Sequence, residues 1–207
     1  MNAGRKRGSL YVIAAPSGAG KTSLVKAVLE RDRSLKVSVS HTTRKPRTHE
    51  VTGEHYWFID VDEFKRLRDA GAFLEHAQVF DNFYGTGRAQ VEKLREAGHD
   101  VILEIDWQGA QQVRAALPDC HTVFILPPSR RELESRLRNR KTDSDEVIER
   151  RLRDSIADMT HYREFDSVVV NDEFEAAVAQ LLEILDGSAS FGPDRADLQP
   201  LLADLLR

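Results

Sequence analysis

The stretch Ala15-Pro16-Ser17-Gly18-Ala19-Gly20-Lys21-Thr22 follows the apolar run Leu10-Tyr11-Val12-Ile13-Ala14 and leads into an amphipathic segment at 21–31. A buried strand, a glycine-rich turn and a helix in that order make a cradle for phosphate. Gly18 and Gly20 let backbone N–H groups turn inward with no side chain in the way, and the helix that follows adds the positive end of its dipole. Lys21 places an ammonium between the β- and γ-phosphates, the Thr22 hydroxyl suits Mg²⁺, and Ser23 extends the same turn. The general pattern opens with Gly where this chain has Ala15; the interior glycines approach phosphate most closely, so the loop keeps its chemistry. By itself it says nucleoside triphosphate and nothing finer.

Working outward, the runs 101–105, 122–126 and 167–170 are continuously apolar, as expected of strands in a parallel sheet covered on both faces. Helical patterns at 86–97, 109–117, 129–140, 145–163 and 173–185 alternate with them, which predicts an α/β fold with right-handed crossovers. The middle departs from this rhythm. Short strand patterns at 37–40, 55–59 and 73–80 surround one helix at 61–70, so a small α+β lobe is expected within a parallel core. The expected layout is one domain at 1–187, with core at 8–36 and 88–187, lobe at 37–87 and a helical lid at 129–155. Residues 188–207 then form a linker and a last helix. That helix carries Leu198, Leu201, Leu202, Leu205 and Leu206 on a stripe suited to the chain's own core or to a partner in a homo-oligomer, and the former is the expectation.

Composition narrows the function. The chain has 207 residues, 41% hydrophobic and 31% charged, with formal net charge −4. That balance is globular and too acidic for a general nucleic-acid binder; the run Arg5-Lys6-Arg7 reads as a solvated tail. A lone cysteine, Cys120, fits a reducing compartment. No stretch approaches the length of a secretory signal or a spanning helix, so no membrane partner and a cytoplasmic address are expected. The seven histidines show no metal-ligand spacing.

A kinase acting on a nucleotide needs a second anion site, and Ser40-His41-Thr42-Thr43-Arg44-Lys45-Pro46-Arg47 is the candidate. Arg44 and Arg47 flank a rigid Pro46, and guanidinium forks suit a phosphate dianion. Tyr56 and Tyr84 fall in the same lobe; Tyr84 opens Tyr84-Gly85-Thr86-Gly87, read as a flexible turn able to approach a ligand. Glu104 and Asp106, two apart, share a face at the carboxyl end of their strand, where ligands bind in open α/β sheets. Arg136 and Arg140 share a helix face, and Arg151 follows on the next helix; arginines on a closing lid stabilise charge spread over a migrating phosphoryl group. Solvated helix charges would look much the same.

These segments, with His55-Tyr56-Trp57-Phe58, Phe73-Leu74-Glu75, Asn82-Phe83-Tyr84-Gly85-Thr86, Ile105-Asp106-Trp107-Gln108-Gly109 and Val170-Asn171-Asp172, resemble the guanylate kinase family in order and spacing over about residues 9–186. The resemblance implies a P-loop kinase core with an inserted GMP-binding lobe and a helical lid. It implies transfer from MgATP to GMP, with dGMP as a further acceptor. By it, Arg44, Arg47, Tyr56 and Tyr84 hold the GMP phosphate, and Ser40, Glu75 and Thr86 read the guanine edge. Glu104 stands near the acceptor, Asp106 near Mg²⁺ with Thr22, and Asn171 near adenine. The ATP loop runs from Ala15 to Ser23, and Lys21, Arg44, Asp106, Arg136, Arg140 and Arg151 form the catalytic set. Many members have Asp in place of Glu104 and Ser in place of Thr86. Rival readings are a kinase for another phosphorylated acceptor, a non-catalytic binding module, and a P-loop ATPase.

Overall fold

The computed structural model describes residues 6–79, 81–139 and 145–207. The larger sheet comprises β1 (Leu10–Ala14), β2 (Lys36–Val37), β7 (Val101–Ile105), β8 (His121–Leu126) and β9 (Ser167–Val170), in the order β2-β7-β1-β8-β9. Its end pairs are parallel: Lys36 and Val37 lie opposite Val101 and Ile102, and Val123 to Leu126 lie opposite Ser167 to Val170. Every residue of β1 is buried, as is β8 beyond its first residue. That is the burial the continuous apolar runs predict for a sheet with both faces covered.

The chain divides into two compact units, one of residues up to 12, 34–103 and 108–120, the other of 13–33, 104–107 and 121–207. The first holds a four-stranded sheet in the order β4-β3-β6-β5, from β3 (His41–Thr42), β4 (Trp57–Phe58), β5 (Phe73–Val79) and β6 (Asn82–Gly87). Beside it lies α2 (Val61–Asp69), which starts because the Asp60 carboxylate accepts the Glu63 N–H at 2.8 Å. From α2 the fully buried Phe64 stacks on Phe73 and Phe83, with ring centroids 4.8 and 5.3 Å away. Helix α3 (Arg88–Glu96) follows β6, and α4 (Trp107–Ala116) follows β7.

The second unit carries α1 (Lys21–Arg31), α5 (Arg130–Arg138), α6 (Asp145–Met159), a 3₁₀ turn (Thr160–Glu164), α7 (Phe174–Leu185) and α8 (Leu198–Leu205). Leu198, Leu202 and Leu205 of α8 are buried within the chain, whereas Leu201 is half-buried and Leu206 exposed. No helix among the described residues is long and apolar enough to cross a membrane.

Two local expectations change. The strand expected at 37–40 is Lys36–Val37, an edge of the five-stranded sheet, and the four-stranded sheet begins only at His41. Alternation in Val37-Ser38-Val39-Ser40 signals extended chain but not which sheet pairs with it. The helix expected from residue 86 starts at Arg88, because 82–87 is a strand paired antiparallel with β5. Gly85 and Gly87 are therefore strand glycines and not a flexible turn. A Cβ on Gly85 would sit 3.1 Å from the Phe73 ring, and one on Gly87 3.2 Å from His41. Arg5, Phe80 (the last residue of the expected strand 73–80), Arg140 and residues 141–144 lie outside the described residues.

Candidate active site

The phosphate loop is built by bonds to its carbonyls. Gly18 and Gly20 hold φ of 91° and 92°, where side chains are disfavoured. The Asn171 amide donates to the Ala19 carbonyl at 2.8 Å, and Ser155 on α6 donates to the Ser17 carbonyl at 3.1 Å. Within a trans peptide the C=O and the next N–H point opposite ways. Pinning the Ser17 and Ala19 carbonyls therefore turns the Gly18 and Gly20 N–H groups to the other side, where an anion can collect them. Packing is tight: a Cβ on Gly20 would lie 2.3 Å from the Asn171 amide nitrogen, and one on Gly18 3.0 Å from Leu133 of α5. Ala15 is half-buried, Pro16 and Ala19 are buried, and Ser17 is exposed. Helix α1 opens at Lys21 with no side-chain cap and no acid in its first turn, which leaves its first N–H groups and dipole for a ligand. Thr22 and Ser23 are exposed on that turn.

Lys21 reaches the end of β7, donating to the Ile105 carbonyl at 2.7 Å. Half-buried Glu104 and Asp106 flank that residue, so the fold brings Lys21 to the strand end carrying both acids. The pair Thr22 and Asp106 suits Mg²⁺, a hard cation that keeps several waters and takes few protein oxygens; no group of three metal-capable side chains occurs among the described residues.

Helix α5 starts at the Ser129 cap, which accepts the Glu132 N–H at 3.0 Å. Its buried Leu133 and Leu137 face Gly18. Arg136 is held by Glu132 at 2.8 Å and reaches the Asn171 carbonyl at 3.3 Å and the Ala19 carbonyl at 3.5 Å. Arg138 pairs with Glu134 and Asp145, the solvated kind of arginine. Arg151 is half-buried on α6, four residues before the buried Ser155.

The first unit holds a second cluster. Arg44 forms a bidentate pair with Glu50 at 2.8 and 2.9 Å, and the Arg47 backbone N–H donates to the same carboxylate at 2.7 Å. The two-pronged Arg44 bond and the Arg47 amide hold the Glu50 carboxyl down at about 2, and Glu50 in turn raises Arg44. The Arg44 guanidinium lies over Tyr56 and Phe58, at 5.4 and 5.6 Å from the ring centroids, and Tyr56 meets Tyr84 edge-on at 6.0 Å. Arg47 is exposed. Glu50 was missed by sequence reasoning; its only signal is a carboxylate six residues after Arg44 in a polar loop.

Glu75 on β5 and Thr86 on β6 are paired in register and buried, with the Thr86 hydroxyl donating to the Glu75 carboxylate at 2.6 Å. Ser40 is half-buried just before β3, its carbonyl accepting the Trp57 N–H at 2.8 Å. Tyr84 and Thr86, two apart on β6, share a face about 7 Å apart along the strand. One short sheet thus carries anion donors and a buried carboxylate side by side.

The family model described as "Guanylate kinase" matches residues 7–188. The chain belongs to the guanylate kinase family. It is 52% identical to the guanylate kinase of Chromohalobacter salexigens, over 97% of this chain and 94% of that one. Identity to the guanylate kinase of Methylococcus capsulatus is 53%, over 97% and 98%. The guanylate kinase of Escherichia coli strain K12 is 52% identical over 86% and 87%. Among solved structures, guanylate kinase from Anaplasma phagocytophilum superposes with a TM-score of 0.73 at 33% identity, covering 89% of this chain and 87% of that one. Guanylate kinase membership accounts for both clusters being present on one chain. It leaves to the geometry the work done by Glu50, Asn171 and Ser155.

Proposed function

We propose that the chain transfers the γ-phosphoryl group of ATP to GMP, and to dGMP, giving ADP and the corresponding diphosphate. The observation that carries this reading is the buried Glu75–Thr86 pair beside Arg44, Tyr56 and Tyr84. Guanine presents N1–H and the 2-amino group as adjacent donors, which a buried carboxylate accepts. Thr86 already spends its hydroxyl proton on Glu75, so toward the base it acts as acceptor. A kinase for a phosphorylated sugar would leave this pair nothing to read.

Arg44, Arg47, Tyr56 and Tyr84 bind the acceptor phosphate. Glu50 holds the Arg44 guanidinium over Tyr56 and Phe58 so that it is oriented before the ligand arrives. Ala15 to Ser23 bind the donor phosphates, with Lys21, Arg136, Arg140 and Arg151 on the group in flight. Bound at Thr22 and Asp106, Mg²⁺ supplies charge neutralisation. Glu104 orients the acceptor from the same strand end. Asn171 serves ATP through the loop it braces. The acceptor phosphate is itself the nucleophile, so no covalent enzyme intermediate is needed. In this reading a GMP-binding lobe at 37–87 and a lid at 129–155 exclude water before transfer.

A coupled assay with ATP and each of GMP, AMP, CMP and UMP tests the acceptor. We expect kcat/KM for GMP to exceed that for AMP by at least about 10³-fold, since AMP offers the buried Glu75 carboxylate neither the N1–H nor the 2-amino donor of guanine. Equal values would remove the base-reading role.

A further inference from the structure

Trp107, the residue after Asp106, is gripped from two sides by the end of α6 and the turn behind it. Its indole N–H donates to the Asp158 carboxylate at 3.0 Å. Its ring lies face to face with His161, centroids 3.4 Å apart and planes 8° from parallel. His161 is fixed by Glu164 at 2.6 Å. Asp158 is no ordinary surface acid: burial, above all, and the Asp106 and Asp154 charges push its carboxyl up, against the Trp107 hydrogen bond.

On α6, Arg151, Ser155 and Asp158 stand at i, i+4 and i+7, one face of the helix. Ser155 bonds the phosphate loop and Asp158 bonds Trp107. One helix face thus carries a transfer-site arginine and two anchors, one to the loop and one to the first residue of α4, just past Asp106. We propose that Trp107, held by Asp158 and His161, is a positioning residue that locks Asp106 and Arg151 into a common geometry for phosphoryl transfer. The proposal rests on the reading that Asp106 and Arg151 serve that step.

Removing the indole N–H by Trp107→Phe, or its acceptor by Asp158→Leu, should lower kcat about tenfold with both KM values within about twofold, because misalignment weakens contacts made in the transition state. Asp158→Asn keeps an acceptor oxygen and should restore most of kcat. In the double variant Trp107→Phe/Asp158→Leu the loss should stay near tenfold, since both changes break one link. Asp106→Asn and Arg151→Met are run alongside. If those two lower kcat while Trp107→Phe and Asp158→Leu do not, or if the double loss multiplies to about a hundredfold, the proposal is overturned and the site reading stands. If those two leave kcat intact, the site reading falls and the proposal with it. A second readout does not depend on turnover. The chain has two tryptophans, so Trp57→Phe leaves Trp107 as sole emitter. Adding Mg²⁺ and a non-hydrolysable ATP analogue should shift its emission, and Asp158→Leu should abolish the shift. The same shift in both backgrounds contradicts the link, even where Trp107→Phe fails to fold.

Discussion

In the proposed reading, Glu75 carries substrate choice. It is 4% exposed and accepts the hydroxyl of Thr86, itself fully buried, which fixes how the carboxylate is presented. Glu75→Gln keeps the shape but turns one acceptor into a donor facing guanine's donors. The loss of a charge-assisted bond, about 1.5–3 kcal/mol, lowers kcat/KM for GMP by roughly one to two powers of ten. The KM for ATP should hold, and steady-state kinetics against each substrate separates the two. Glu50 makes a second residue-scale prediction. Its folded carboxyl lies near 2, below the ordinary 4.5, so the stability it contributes is present above about pH 4.5 and fades as pH falls through about 2. Glu50→Gln should lower the melting temperature by a few degrees at pH 7, and the gap to the parent should shrink steadily below pH 4.5. At this scale the sequence was only partly legible. Lys21 and Arg44 announce themselves by motif and charge. Glu75 was found only through the family resemblance, since Phe73-Leu74-Glu75 alone marks nothing, and Glu50 became visible only when the loop closed on Arg44.

At the scale of elements, the phosphate loop is held in shape from behind by side chains from β9's end and α6. Asn171 spends its amide on Ala19 and its backbone carbonyl on Arg136. Asn171→Ala should therefore raise the KM for ATP and lower kcat, costing about five- to tenfold in kcat/KM for ATP, with little change in the KM for GMP. An effect confined to GMP would mean the brace does not act on the loop. The long, strongly patterned elements were readable: α1 and β7 begin and end where their patterns do. Short strands without a continuous apolar run were not. In 82–87 the glycines resemble a turn, and only pairing with Phe73–Val79 makes them a strand; in 36–40 the decisive fact is a partner more than 60 residues away. Both failures come from a pairing partner outside the segment, which the segment's own composition does not encode.

At the scale of the whole molecule, the phosphate loop lies in the second unit and the Arg44 and Glu75 clusters lie in the first. The α/β class was legible because continuous apolar runs are what a doubly covered sheet requires. The fate of the leucine stripe was not, because an amphipathic helix buries its face equally well in its own chain or in a partner. Leu198, Leu202 and Leu205 are buried in the chain's own core, while Leu201 is half-buried and Leu206 exposed. In the proposed reaction the γ-phosphoryl group passes to GMP and not to water. Phosphorus NMR of ATP, GMP and Mg²⁺ incubated with the enzyme measures this directly. The account predicts GDP and ADP rising one for one, with negligible inorganic phosphate; phosphate released in step with ADP, with no GDP formed, would contradict it.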